Sequence, residues 1–303
     1  MKKKKNSKFG LMMKALNMEL HEHKSSFIVY VVLRALVILA MILQIFNKNY
    51  ENVFLCVLTL ALLIVPSFVQ VNFKIELPTA LEIIILLFIF SAEILGEIQS
   101  YYIKFPFWDT LLHVLNGFLA AAIGFSLVDL LNRNERFVFK LSPLFMAVVA
   151  FCFSMTIGVL WEFFECGMDQ FFGMDMQKDT IIHSFNSVML DPTASNIPVT
   201  VDGIKSVVIN GQDLGLGGYL DIGLLDTMKD LFVNFIGAVI FSVIGFFYVK
   251  NRGQGRFARR FIPSIKEESA DFLQIVKEQD ERGEQEENGP EKSRENNSKP
   301  GGA

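Results

Sequence analysis

Apolar residues run along this chain in long blocks rather than in alternation, and polar or charged positions close each block. Six blocks are long enough to cross a ~30 Å hydrocarbon core, which takes roughly 20 helical residues. They predict helices over Phe27–Phe46, Val53–Val69, Thr79–Ile98, Phe107–Leu131, Pro143–Met168 and Leu231–Val249. Ser25 or Ser26 suits the N-cap of the first, and Pro78 suits the first turn of the third. Gln70–Pro78 and Gln99–Pro106 read as short loops. The fold class expected is therefore an all-α polytopic membrane protein, a bundle of about six transmembrane helices.

Polar stretches divide the rest. Residues 1–26 carry Lys2–Lys5 and then Phe9, Leu11, Met12, Ala15, Leu16, Met18 and Leu20 among polar positions. That pattern predicts an amphipathic helix on an anionic membrane surface. The apolar run that follows is too long for a cleavable signal peptide. The transmembrane domain spans 27–250 and holds one long polar insert, 169–225. Within the insert, Val199–Val201 and Val207–Ile209 are broken by Asp202-Gly203 and Asn210-Gly211, which predicts a small β-hairpin. Residues 251–303 turn from basic to Glu-rich with few aromatics, and most of them are expected to lack order.

Composition changes this picture little. Of 303 residues, 51% are hydrophobic and 30 are Phe, and mean hydropathy is +0.38. The net charge of −4 comes largely from the tail. Cys56, Cys152 and Cys166 lie in or beside apolar runs, which indicates no disulfide framework. Nothing points to nucleic acid; membrane lipids are the expected partners, with anionic headgroups at the basic N-terminus, and no protein partner is indicated.

Charge placement sets the topology. With the lysine-rich N-terminus inside, the positive-inside rule also places the basic loop Asn132–Lys140, the Arg252–Arg260 segment and the C-terminus in the cytoplasm. The insert then falls outside. The outer ends of spans three to six carry matching polar marks: Glu93 and Glu97; Asp109, His113, Asn116 and Gly117; Glu162 and Glu165; Asp226, Asp230 and Asn234. Charged groups at membrane depth are expensive and generally functional.

Five carboxylates (Asp109, Glu162, Glu165, Asp226 and Asp230) meeting in one partly desolvated place repel. Either several hold protons, or cations neutralise them; two divalent ions would remove most of the excess. Helical bundles that bind two iron or manganese ions use inward carboxylates and a His, although Asp-x-x-x-His and Glu-x-x-Glu are not their Glu-x-x-His pattern. The expected metal ligands are Asp109, His113, Glu162, Glu165, Asp226 and Asp230, for Zn²⁺, Mn²⁺ or Fe²⁺. Asn234, Asn116 and Glu97 support them. Plainer readings stand beside this one. Asp109 suits a helix N-terminus, Lys229 neutralises a neighbouring Asp, and Trp108 and Trp161 suit an interfacial belt. Cys166 suits packing, while His21, His23, His183, Asp175 and Asp179 suit solvent. Arg34 suits snorkelling or a pair with Glu82 or Asp129.

The strings Trp108-Asp109…His113…Asn116-Gly117-Phe118, Trp161-Glu162-Phe163-Phe164-Glu165 and Gly223-Leu224-Leu225-Asp226-Thr227-Met228-Lys229-Asp230…Asn234…Gly237-Ala238 resemble the YjdF-like family of bacterial inner-membrane proteins. The likeness covers roughly residues 50–250 and is most specific in the last string. It implies a multi-pass bacterial plasma-membrane protein and no particular activity. Three functions fit the residues. One is a metal-dependent hydrolase of a lipid-linked or envelope substrate, with a metal-activated water as nucleophile and Glu162 or Glu165 as general base. Another is a structural or signalling protein in which the cluster fixes helix packing. The third is an ion- or proton-coupled transporter component, against which the scarcity of deeper polar residues and the lack of an inverted repeat speak.

Overall fold

The structure is a computed structural model, and it describes residues 7–133, 141–251 and 257–288. The basic segments Lys2–Lys5, most of Asn132–Lys140 and Arg252–Arg256, together with the last fifteen residues, lie outside the described ones. In chain order the helices are α1 (Lys8–Glu22), α2 (Lys24–Phe46), α3 (Tyr50–Leu62), α4 (Val65–Phe73), α5 (Thr79–Phe90) and α6 (Tyr101–Lys104). Then follow α7 (Trp108–Arg133), α8 (Pro143–Phe172), α9 (Leu224–Lys250) and α10 (Phe272–Asn288). Among the described residues six spans are long and apolar enough to cross a membrane: Lys24–Phe46, Tyr50–Phe73, Thr79–Ile98, Trp108–Asp129, Pro143–Phe172 and Leu224–Lys250. The second is two helices in file, because Pro66 in the first turn of α4 cannot donate to the turn before it. It also runs past the predicted Val69. The third finishes in a wide π-helical stretch, Ser91–Ile98, in which Gln99 donates to Ile94 five residues back. A Cβ on Gly96 would meet the Tyr102 ring at 2.3 Å, so only glycine lets the α6 corner close there.

The chain divides into two units. The first, Met1–Phe105 with Ser126–Leu141 and Phe247–Ala303, holds the first three spans. Tyr30, Leu33, Val37, Cys56, Leu63, Leu86 and Ile94 form its core. Arg34 donates to the Tyr30 hydroxyl one turn back and lies over its ring, while the carboxylate of Glu82 accepts from Gln70. Each of the two thus has a nearer partner than the other. His23, not Ser25 or Ser26, is the N-cap of α2; the Ser26 hydroxyl donates back to the His23 carbonyl.

The two chain ends of this unit are bound together. Strand β1 (Ile75–Glu76) pairs antiparallel with β8 (Ser264–Ile265), and α1 packs between α4 and α10 through Ala15, Leu16, Val71, Phe272 and Leu273. Lys74 pairs with Asp271 at 2.6 Å, and the buried pair Lys266–Glu19 lies beside it. The expectation of an unordered tail is therefore corrected for Phe272–Asn288. Phe272, Leu273 and Val276 make a short apolar stripe that overall charge conceals, and burial of that stripe orders the helix.

The second unit, Pro106–Phe125 with Ser142–Phe246, holds the last three spans and the insert. Ser142 caps α8 by accepting from Phe145, and Gly173 at φ 65° ends it four residues past the expected Met168. In the insert β2 (Ile181–Ile182) pairs with β7 (Tyr219–Leu220), β3 (Ser184–Ser187) with β4 (Val199–Asp202), and β5 (Val208–Ile209) with β6 (Gln212–Asp213). The predicted hairpin is the last pair. Asn210 and Gly211 both take positive φ, the geometry of a type I′ turn. Val199–Val201 belongs to a different ladder, its register Phe185↔Val201 set by a partner upstream in the chain.

Candidate functional site

Three glycines bring the helices of the second unit close enough to build a site. A Cβ on Gly237 of α9 would lie 2.0 Å from the Val114 carbonyl oxygen, and one on Gly117 of α7 would lie 2.1 Å from that of Asn234. The α7 and α9 backbones therefore touch, as helices do in lipid where packing rather than hydrophobicity drives association. Gly158 of α8 gives room to the Asn234 amide. Asn234 is 1% exposed and ties the three helices: it accepts from Asn116 at 3.1 Å and faces the Ser154 carbonyl at 3.4 Å, while the Ser154 hydroxyl donates to Gly117 O at 2.7 Å. Beneath this layer Phe118, Phe125 and Phe241 pack edge to face.

This contact sets the register one turn above it. His113 precedes Gly117 by four residues and Asp230 precedes Asn234 by four, so both side chains stand on the turn nearer the membrane surface. His113 Nε2 lies 3.4 Å from Asp109 Oδ1 and 3.8 Å from Asp230 Oδ2. On the opposite edge of the ring, Nδ1 lies 4.0 Å from Glu162 Oε1 of α8. One ligand atom from each of Asp109, His113 and Asp230 falls within 4.8 Å of the other two, a spacing that fits a single metal ion.

The six ligands inferred from the sequence thus divide by position. Asp109, His113 and Asp230 face one point. Glu162 sits across the imidazole, where carboxylates orient metal-ligating histidines. Glu165 accepts from Trp161 Nε1 at 2.8 Å, one turn along α8, which gives Trp161 a partner beyond its place in an interfacial belt. Asp226 is taken up by Lys229 at 2.7 Å and by the Lys178 amide at 2.9 Å. Of the supporting residues, Asn116 and Asn234 form the tie below, and Glu97 belongs to the first unit. Cys166, expected to pack, is exposed on α8.

Charge is unevenly matched here. Lys229 Nζ is 2.7 Å from Asp226, 3.4 Å from Asp109 and 3.5 Å from Asp230, so one ammonium serves three carboxylates. Among the described residues of this cluster, two buried oxygens accept no hydrogen bond: Glu162 Oε2 and Asp230 Oδ1. An unsatisfied buried acceptor costs about 1–3 kcal/mol, and more when charged. Both atoms are on groups that border the His113 ring.

A strap of the insert covers this end of the helices, and little in the sequence pointed to the contacts that hold it. Asp169, at the end of α8, accepts from the amides of Met176 (2.6 Å) and Gln177 (2.9 Å) and folds the chain back. Gln177 donates to the Thr227 hydroxyl at the first turn of α9. Asp221 accepts from Thr180 (2.7 Å) and Leu225 (2.8 Å), joining strap to α9. Burial opposes ionisation of Asp221, but these amides hold its carboxyl below the usual range. Gly223, at φ 76°, is required because a Cβ there would meet Gln177 at 2.7 Å. The only hint available in the sequence was Asp221-Ile222-Gly223 just before a helix.

No curated protein and no solved structure matches the chain. A family model described as "Predicted membrane protein (DUF2238)" matches residues 29–251, from the second turn of the first span to the end of the sixth, and leaves α1 and α10 outside. That agrees with the YjdF-like resemblance of the sequence, and the chain belongs to the DUF2238 family of predicted membrane proteins.

Proposed function

We propose that the second unit holds a divalent metal ion between Asp109, His113 and Asp230, and that the ion serves hydrolysis of a lipid-linked or envelope substrate. The observation that carries the reading is the convergence of three ligand atoms within 4.8 Å on two helices held in register by Gly117 and Gly237. Asp230 Oδ1 adds to it: it is buried without a hydrogen bond, its nearest cation being Lys229 at 3.5 Å, and an ion at that point would satisfy the carboxylate. Two carboxylates and an imidazole suit Zn²⁺, Mn²⁺ or Fe²⁺. Such an ion, when bound, supplies a Lewis acid that makes water nucleophilic near neutral pH. Glu162 faces the Nδ1 edge of the imidazole at 4.0 Å and is one candidate base. Glu165, steadied by Trp161, is the second base. Lys229, half-exposed beside the same carboxylates, suits an anionic leaving group. Both ends are proposed to be cytoplasmic, which the positive-inside distribution of the basic segments supports, and a bacterial plasma membrane is proposed on the YjdF-like resemblance.

A second reading rests on Lys229 and Asn234: the ammonium and the amide tie α7, α8 and α9 together, and the cluster fixes packing alone. Equilibrium dialysis of the purified full-length protein against Zn²⁺ and Mn²⁺, beside turnover of a panel of lipid-linked phosphoesters, separates the readings. Metal and turnover both lost in Asp109→Ala support the hydrolase. Metal bound without turnover removes the hydrolytic half, and no metal in the wild type leaves the packing reading.

A further inference from the structure

The face of α1 turned away from the protein carries an unused pattern. Ala15, Leu16 and Glu19 define its buried side, which is fully occupied by α4 and α10. Opposite them stand Met13, Lys14, Asn17 and His21, with Phe9 at one edge of this stripe, while Lys8 lies in the first turn on the side of Ala15; all six are exposed. Phe9 is 73% and Met13 48% exposed, one turn apart on one edge, with Lys14 beside them. Large apolar side chains next to lysines on an exposed helix face are the mark of a helix lying in a membrane interface.

Position within the first unit points the same way. Only His23 separates α1 from α2, the first span, and α1 rests on α4, where the second span ends at Phe73. The helix is therefore held at the level where two spans leave the hydrocarbon. Phe73 at that exit is itself 65% exposed. Lys24 is exposed at the same level, so cations and aromatic groups share it.

We infer that α1 is a fixed anionic-lipid contact: Phe9 and Met13 enter the headgroup region of the adjoining leaflet, and Lys8 and Lys14 bind anionic phospholipid headgroups. The occupant is the bilayer's own anionic lipid, chosen by charge complementarity and by the tether to the first span. Because α4 and α10 hold the inner face, the helix meets lipid already folded and pays no ordering cost on contact. Each lysine near an anionic surface contributes about 5-fold in affinity, so the pair contributes about 30-fold.

The test uses full-length protein with a fluorophore at Met13→Cys, Cys152 and Cys166 being replaced by Ser. It is reconstituted in mixed phosphatidylcholine and phosphatidylglycerol vesicles in which the same small fraction of lipid is brominated on its acyl chains, as either the phosphatidylglycerol or the phosphatidylcholine. Quenching by each reports which lipid stands beside the helix. The expected result is several-fold stronger quenching by the brominated phosphatidylglycerol, abolished in K8E/K14E and retained in K8R/K14R. The preference should also vanish for the unaltered lysines at about 1 M salt, where screening shortens to about 3 Å. Equal quenching by the two lipids, or a preference unchanged by K8E/K14E or by salt, overturns the inference. Lys8 and Lys14 are exposed, and an unchanged unfolding temperature confirms that their reversal leaves the fold intact.

Discussion

Gly237→Ala probes the contact on which the whole site depends. The new Cβ would sit 2.0 Å from the Val114 carbonyl oxygen, 2.8 Å from Phe118 N and 3.0 Å from Val114 C, all backbone atoms that cannot rotate aside. Ordinary contact begins at 3.4 Å, so α7 and α9 must part by about 1.4 Å along that line. Overpacking of this kind costs about 1–3 kcal/mol, and the upper end applies where backbone must move. At ~2–4 °C per kcal/mol, a cost of about 3 kcal/mol should lower the unfolding temperature by about 6–12 °C. Thermal loss of the monodisperse species in detergent, followed by size exclusion, measures it. Gly10→Ala is the control. Its Cβ would meet nothing nearer than the Ser7 hydroxyl at 3.5 Å, so it should be neutral or gain about 0.5–1 kcal/mol. If Gly237→Ala melted with Gly10→Ala, the close α7–α9 crossing would be wrong, and the register of His113 on Asp230 with it.

Asn234→Ala removes the tie among α7, α8 and α9 and should cost about 1–2 kcal/mol, more than the ~0.6 kcal/mol average for a hydrogen bond between helices in lipid, because Asn116 loses its acceptor as well. The same thermal assay reads it, and no shift would remove Asn234 from the core of the unit. Asp271→Ala removes the N-cap acceptor for Gln274 and the Lys74 partner, and should loosen α10 by about 1–2 kcal/mol, seen as faster trypsin cleavage at Lys277 and Arg282. Burial opposes ionisation of Asp271, yet the Lys74 ammonium and the Gln274 amide outweigh it and hold its carboxyl below the usual range. A depressed folded value means that this stability is complete above the ordinary carboxylate range. It is lost as pH falls through the folded value. Cleavage of the wild type by an acid protease such as pepsin should therefore quicken only as pH falls below the ordinary carboxylate range, and tryptic cleavage equally slow in Asp271→Ala would refute the docking.

Much of this was legible in the sequence, for identifiable reasons. The spans announce themselves because lipid demands apolar length, and Asp109, His113, Glu162 and Asp230 stand out because charge in such runs is costly. Which edge of His113 each carboxylate meets was not legible. Glu162 and Glu165 differ by under one helical turn, yet one faces the imidazole and the other Trp161, a difference of rotation about α8 that spacing alone leaves open. The strap was hidden because Gln177 and Thr227 act through contacts fifty residues apart, and their sole trace is Gly223. The order of α10 was hidden by its charge; three apolar residues in Phe272, Leu273 and Val276 suffice once α1 and α4 cover them.

The central claim is that Asp109, His113 and Asp230 together hold one divalent ion, and metal analysis of the detergent-purified protein, wild type beside Asp230→Asn, tests it directly. Asp230→Asn keeps the shape of a side chain that is 2% exposed while removing its charge. The expected result is near-stoichiometric Zn, Mn or Fe in the wild type and loss of most of it in the variant at unchanged monodispersity. Equal metal in the two, or none in either after exposure to all three ions, would contradict the site.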